Sequence, residues 1–318
     1  MKLNKEIFLN LNNIGIIRTD RLGDMVLTLP MVKVLKRINP NFKIYIIASR
    51  YTEILLKNQS LITNYFFIEN QNIKDIVNQN KIEAVFSPRS IFREAYQLYL
   101  SKTKYRIGIG YRIYSFLYNY KIYEHRKISQ YHEAEYNVRM ISHITKDNYD
   151  VELLAPHISE EINNRIKQLY GEGFIIIHPG SLGSAPKLPM DYWRIIIKSI
   201  LENTNYRIFI TGTNNEINLC NYLDMKIPRI QNLCGKLKLD ELLALINNSR
   251  VLLANSTGVI HIAAALNKKV IGFYPNSKHI GSERWRPYTN NSTIIKPNFG
   301  DDLINIDKNK IQDIYKFI

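Results

Sequence analysis

Short apolar runs rich in isoleucine, valine and aromatic residues alternate with amphipathic helical spacings along this chain, and the alternation occurs twice. Runs of that length and β-branched content read as strands, and strands alternating with helices specify a parallel sheet covered on both faces. The first set predicts strands over Asn13–Arg18, Lys43–Ala48, Tyr65–Ile68, Ala84–Ser87 and Arg106–Gly110, followed by a helix over His132–Ile144. A polar stretch at Leu154–Glu160 separates it from a second set over Phe174–Ile177, Tyr206–Thr211, Arg229–Leu233, Val251–Ala254 and Val270–Tyr274. Helices are expected over Met190–Asn203, Leu239–Asn248 and Gly258–Leu266, and the closing segment Lys308–Ile318 is expected as a helix packing back on the first lobe. The fold class is therefore α/β, in two Rossmann-like domains spanning residues 1–155 and 156–318. A length of 318 residues gives each enough chain to bury its own core.

Several function classes fall away on composition. No stretch approaches the roughly 18 to 20 apolar residues of a membrane span. The opening Met1–Asn13 is interrupted by Asn10, Asn12 and Asn13 and lacks a small-residue cleavage site, so no signal peptide is expected. Cys220 and Cys234 are the only cysteines, neither a disulfide framework nor a zinc pattern, and a cytoplasmic setting is expected.

The net charge of +15, from 43 basic and 28 acidic side chains, favours anionic partners. Placement is more informative than the total, because the chain is crowded with Asn, Ile, Lys and Tyr, a bias that inflates lysine without any function attached. Between Val85 and Gln130 stand nine basic residues, among them Arg89, Arg93, Arg112 and Lys127, against Glu94 and Glu124 alone. The same stretch holds eight tyrosines. Two readings stay open: a solvated basic face over an aromatic core, or cations and amphipathic rings suited to a bilayer headgroup zone.

In doubly wound sheets ligands bind where strands end, so the loops after strands carry the chemistry. The first is residues 18–25, RTDRLGDM, which lacks the glycine spacing of a dinucleotide site; Gly108-Ile-Gly110 misses its third glycine, and no phosphate loop of the Walker type exists. That loop offers Asp24 behind Gly23. A carboxylate there suits a general base, and an aspartate at a helix start equally suits a cap. In the second half, residues 178–189, HPGSLGSAPKLP, follow a strand and precede a helix; the small residues Gly180, Ser181 and Ser184 with Lys187 could cradle a diphosphate or form a plain turn. Residues 254–266, ANSTGVIHIAAAL, put Ser256, Thr257 and Gly258 at a helix N-terminus, where free N–H groups and the macrodipole stabilise anionic charge, with His261 in the first turn. A histidine in that place is otherwise a buried packing residue.

Residues 16–30, IIRTDRLGDMVLTLP, resemble the opening of glycosyltransferase family 9, the bacterial heptosyltransferases. The resemblance implies a GT-B fold, with two Rossmann-like domains facing each other across a cleft, inversion at the sugar carbon and no catalytic metal. It makes Asp24 the base, and the domain of residues 1–155 the acceptor-binding one. It makes residues 156–318 the nucleotide-sugar-binding domain, with Lys187 near the leaving phosphates, Ser256 to Gly258 and His261 gripping the donor diphosphate, and Glu216 near its ribose; a helix-start glutamate exposed to solvent is the alternative for Glu216. The late Trp285-Arg-Pro segment matches without a defined role. The chain departs from the family at Ser256, where an aspartate is common, and at Leu188, where a tryptophan is common, which leaves the donor sugar open.

The implied reaction moves a sugar, heptose from ADP-heptose, onto the inner core or lipid A of lipopolysaccharide, with Arg21, Arg89 and Arg93 holding the acidic phosphorylated glycolipid. The nucleotide sugar, ADP-linked, is a co-substrate, and no further cofactor is implied. The chain is expected as a monomer, peripheral to the inner leaflet of the inner membrane, with no nucleic-acid partner, since its basic residues accompany no nucleic-acid module. The alternatives are another nucleotide-activated sugar and envelope glycan, or a non-catalytic nucleotide- or glycan-binding protein of the same fold.

Overall fold

The computed structural model describes residues 3–181, 183 and 185–318. The chain divides into two compact units, Met1–His157 and Ile158–Ile318.

The first unit is built on a six-stranded parallel sheet of β1 (Asn13–Arg18), β2 (Lys43–Ala48), β3 (Asn64–Phe67), β4 (Ala84–Ser87), β5 (Tyr105–Ile109) and β6 (Tyr120–Ile122) in the order β3-β2-β1-β4-β5-β6. The second unit repeats this with β7 (Phe174–His178), β8 (Ile208–Ile210), β9 (Ile230–Asn232), β10 (Ser249–Asn255), β11 (Lys269–Phe273) and β12 (Ser292–Ile295) in the order β12-β11-β10-β7-β8-β9. The first sheet has the doubly wound order 3-2-1-4-5-6, and the second places its own first strand, β7, between β10 and β8 in a sheet that is likewise wound from its centre to both edges. The central strands are apolar at nearly every position because both faces are covered: all five residues of β7 are buried, as are residues 14–18 of β1.

In each sheet the chain reverses direction of winding beside its first strand. β1 lies beside β4 with Ile16 opposite Phe86, and β7 lies beside β10 with His178 opposite Ala254. The crevice that such a reversal leaves at the carboxyl ends is where open α/β sheets take ligands. The motifs at residues 18–25, 178–189 and 254–266 all stand at these two points.

Three features differ from expectation. The edge strands β6 and β12 lie outside the predicted set, because three- or four-residue strands with Lys121, or with Ser292 and Thr293, carry no apolar alternation. A helix over Glu160–Tyr170 follows the polar stretch; only Ile166 of it is buried, so its apolar stripe is faint, although Ser159 caps it and Gly171 stops it at φ +73°. The closing segment forms a short helix, Lys308–Gln312, and a 3₁₀ turn, Asp313–Phe317, that pack within the second unit on the helix Met190–Asn203. Ile311 and Ile314 are fully buried there beside Trp193, Ile196 and Ile197, and Tyr192 donates to the Ile304 carbonyl at 2.7 Å. Among the described residues no helix is long and apolar enough to cross a membrane.

Candidate functional site

In the first unit the end of β1 delivers a guanidinium into a nest of carboxylates. Arg18, 3% exposed, donates through Nε to Asp20 at 2.6 Å and through Nη2 to Asp24, and its Nη1 stands 3.6 Å from Glu133. Two further arginines flank the group: Arg89 Nε lies 3.5 Å from Asp20, and Arg126 Nη1 lies 2.6 Å from Glu133. A charge taken out of water is costly unless partnered, so the burial of Arg18 requires these acids and fixes them in turn. Next to Asp20 in the chain, Thr19 donates to the buried Glu94.

Asp24 lies in the first turn of the short helix Leu22–Val26. The capping alternative is not what the structure has: Arg21 is the N-cap residue, without a side-chain cap, and the Asp24 carboxylate goes to Arg18. Thr28 donates to the Asp24 carbonyl at 2.8 Å and Asn137 donates to the Leu27 carbonyl at 2.9 Å, tying the turn to the helix Glu133–Thr145. Burial pushes the Asp24 carboxyl above the ordinary aspartate range; Arg18 opposes this, while Asp20 and Glu133 add to it. Its side chain keeps 16% exposure against 3% for Arg18, so the acid rather than the arginine is open to a reactant. A carboxylate of raised proton affinity, reachable from solvent, is equipped to accept a proton.

Of the three cations expected on the acceptor, Arg89 follows β4 at the reversal point and joins the Asp20 cluster. Arg21 is exposed at the start of the Leu22–Val26 helix, and Arg93 is exposed on the helix Phe92–Tyr99.

In the second unit Asn255, fully buried at the end of β10, staples the loop after β7 at both ends. Its amide donates to the Pro179 carbonyl at 2.6 Å and its oxygen accepts from the Leu188 N–H at 3.0 Å. That brings the neighbourhood of Lys187, itself exposed, beside Ser256–Gly258. Ser181 donates to the Ala185 carbonyl at 3.3 Å; Ser184 lies outside the described residues. Thr257 is the N-cap of the helix Gly258–Ala265 without a side-chain cap bond, and His261 in that helix is buried. Ser256 hydrogen-bonds the phenol of Tyr274, which donates to the Trp285 carbonyl at 2.9 Å. The Trp285 segment is thereby linked to the β10 loop, a role the sequence left undefined.

Glu216 is buried, which sets aside the alternative of an exposed helix-start glutamate. Its carboxylate accepts from Thr213 N at 2.8 Å and Thr213 Oγ1 at 2.9 Å in a capping box. It also fills the space that a Cβ on Gly180 would need, so any side chain at that position would have to displace the Glu216 carboxylate. Beside it His178 holds Thr211 at 3.0 Å; burial lowers its pKa to about 4, with Glu216 opposing, and the ring is neutral at pH 7. Cys220 and Cys234 both pack over Gly212, and burial raises both thiols, which makes them inert packing groups. Among the described residues no three His, Cys, Asp or Glu side chains are grouped to hold a metal ion.

Sequence reasoning missed Arg18, Glu133, Glu94, Asn255 and Tyr274. Arg18 and Asn255 had a local signal: each is a polar residue ending an otherwise apolar central strand, next to a motif already singled out. The others come from distant chain positions and had none.

The family model for glycosyltransferase family 9 (heptosyltransferase) matches residues 74–312. The chain is 28% identical over 303 residues to a protein of Haemophilus influenzae named "Putative glycosyltransferase", covering 87% of this chain and 86% of that one. Among solved structures, a family 9 glycosyl transferase from Veillonella parvula superposes with TM-score 0.83 at 16% identity, covering 98% of this chain and 96% of the other. The ADP-heptose lps heptosyltransferase II of E. coli superposes with TM-score 0.80 at 16% identity, covering 96% and 98%.

Proposed function

The chain belongs to glycosyltransferase family 9 and is a glycosyltransferase of GT-B fold, and from that premise we propose that it transfers heptose from ADP-heptose onto the inner core or lipid A of lipopolysaccharide, with inversion and without a metal. The observation that carries the mechanism is the buried Arg18–Asp24 pair, with Asp24 the member left open to a reactant. Asp24 takes the proton of the acceptor hydroxyl as its oxygen bonds to the anomeric carbon. The bond from that carbon to the diphosphate breaks, and the nucleotide leaves with the electron pair.

In this reading Arg21, Arg89 and Arg93 hold the phosphates of the acceptor on the first unit. The second unit holds the donor. The Ser256–Gly258 helix start and Lys187 take up the charge that develops on the leaving diphosphate, which protein dipoles and a cation can stabilise in place of a metal. Gly180 and Ser181 line the phosphate loop, His261 contacts the same group from the helix, and Glu216 contacts the ribose. The heptose and lipopolysaccharide assignment draws on the E. coli neighbour, whose name gives ADP-heptose and lipopolysaccharide.

The test is nucleotide release from a panel of nucleotide sugars in the presence of purified inner-core glycolipid. ADP-heptose is expected to turn over, and Asp24→Ala is expected to abolish transfer while nucleotide binding persists. Full activity in Asp24→Ala would remove the base assignment, and turnover with a different nucleotide sugar alone would replace the donor.

A further inference from the structure

Gly108-Ile-Gly110, a glycine short of a dinucleotide loop, has another use in the fold. Its two glycines point to the same face of β5 and its continuation, since residues two apart along a strand share a face. A Cβ on Gly108 would stand 2.6 Å from the Tyr118 ring, and one on Gly110 would stand 2.5 Å from the Tyr123 ring. Each glycine is therefore a seat that lets a tyrosine ring rest on the strand backbone. Tyr118 is buried and donates to Ser87 Oγ at 3.1 Å, a contact of the core. Tyr123 sits where the sheet ends: the Gly110 N–H donates to the Ile122 carbonyl at 2.8 Å, and the ring beyond it stays 59% exposed.

Tyr123 does not stand by itself on the surface. Tyr111, 44% exposed, meets it edge to face with ring centres 5.5 Å apart, and stacks on the exposed His125 at 3.6 Å. Three rings that follow β5 and β6 thus interlock in the open. Burial does not account for them, whereas rings already held in place offer a ligand contact area at a small cost in ordering. The ledge they form lies on the same edge of the sheet as Asp24. Strands β1, β4, β5 and β6 are neighbours in that order, so at about 4.8 Å per strand the ledge stands about 10 to 14 Å from the end of β1, about the span of two linked sugar rings. It is fastened to the turn that carries Asp24. Arg126, the residue after His125, donates to Glu133 at 2.6 Å and to Asn137 at 2.8 Å, and Asn137 donates to the Leu27 carbonyl.

We propose that Tyr111, Tyr123 and His125 seat one pyranose ring of the acceptor glycan, the ring next to the sugar whose hydroxyl Asp24 deprotonates. The inference rests on the proposed reaction for the acceptor being a glycan, and it adds the residues that choose between one glycan and another. A pyranose presents a face of C–H bonds polarised by the neighbouring oxygens, which the negative face of an aromatic ring attracts. Its rim carries hydroxyls, which a phenol and an imidazole can bond as donors or acceptors. The two kinds of contact are offered together by rings with polar tips, and the exposed cations Arg21 and Arg93 are left to the phosphates of the same acceptor.

The experiment is proton NMR of a delipidated, dephosphorylated inner-core oligosaccharide titrated with the full chain in the absence of donor. Binding is expected, with upfield ring-current shifts confined to the C–H protons of one sugar ring and an affinity that holds between about 0.1 M and about 0.5 M salt. Tyr111→Ala with Tyr123→Ala is expected to weaken binding at least about tenfold at unchanged circular dichroism, and to raise the acceptor KM in the nucleotide-release assay while kcat holds. Tyr123→Phe is expected to bind within about twofold of the wild type, and Gly110→Ala, which keeps all three rings and lifts Tyr123 off its seat, about threefold more weakly. No binding by the wild-type chain, or binding undiminished in the double variant, overturns the proposal. Turnover by the double variant at an unchanged acceptor KM also overturns it and leaves the proposed reaction standing. Ring-current shifts that the double variant loses, with no nucleotide released from any donor, uphold the ledge and remove the reaction.

Discussion

Arg18 and Asp24 form an ion pair in which the guanidinium is sealed and the carboxylate is not, although both stand at the carboxyl end of β1. The arginine is shared with Asp20 and Glu133, so three acids lean on one buried cation. Replacing Arg18 with methionine strips Asp24 of its cation and leaves Asp20 to Arg89 and Glu133 to Arg126 alone, and is expected to cost about 3–5 kcal/mol in denaturant unfolding. It also removes the charge that opposes the raised pKa of Asp24. A base must be ionised to act, so transfer is lost as the pH falls through the Asp24 pKa. The acid limb of the rate profile is expected to move to higher pH in Arg18→Met, and to move less in Arg18→Lys, which keeps the charge without the fork. An acid limb at the same pH in all three proteins would separate Asp24 from the rate.

The space over Gly180 is taken by the Glu216 carboxylate. Gly180→Ala is expected to destabilise the second unit by about 1–3 kcal/mol, the usual cost of overpacking a filled site. In a Glu216→Ala background the same change is expected to cost much less, and a double-mutant cycle in urea unfolding reads that coupling.

His178 folds as a neutral ring with its pKa lowered from 6.5 to about 4 by burial. Its contribution to stability is present above the unfolded value near 6.5 and is lost as the pH falls towards 4, because the unfolded chain takes up a proton that the buried ring refuses. Over that window the loss is about 3 kcal/mol. Unfolding free energies measured from about pH 7 to about pH 4 are expected to fall accordingly, and the slope is expected to flatten in His178→Gln.

Asn255 makes two buried hydrogen bonds that close the loop of residues 179–188. Asn255→Ala orphans the Leu188 N–H and the Pro179 carbonyl, at about 1–3 kcal/mol for each buried group left unpaired. Under the proposed function that loop holds the donor phosphates, so ADP affinity measured by calorimetry is expected to drop about tenfold or more. An unchanged affinity with a destabilised fold would confine Asn255 to a structural role.

The sequence by itself determined the architecture and the places where chemistry is available. Among the described residues ten of the twelve strands lie in short apolar runs, and such runs between amphipathic helices have one economical packing, a parallel sheet covered on both sides. The family motif and the loops at residues 178–189 and 254–266 were legible for the same reason: polar and small residues that interrupt a strand-to-helix pattern stand out locally. Tertiary structure alone decided which groups answer each other across chain distance. Arg18 meets Glu133, Asn255 meets Leu188 and Glu216 meets Gly180 because parallel strand order sets distant strands side by side, and brings loops together whatever their separation in sequence. It also settled the position of the closing helix, where local pattern gave an apolar face and no destination, and the outward stripe of Phe92, Tyr96 and Tyr99, since periodicity reports that a helix has an apolar face and not which way that face is turned.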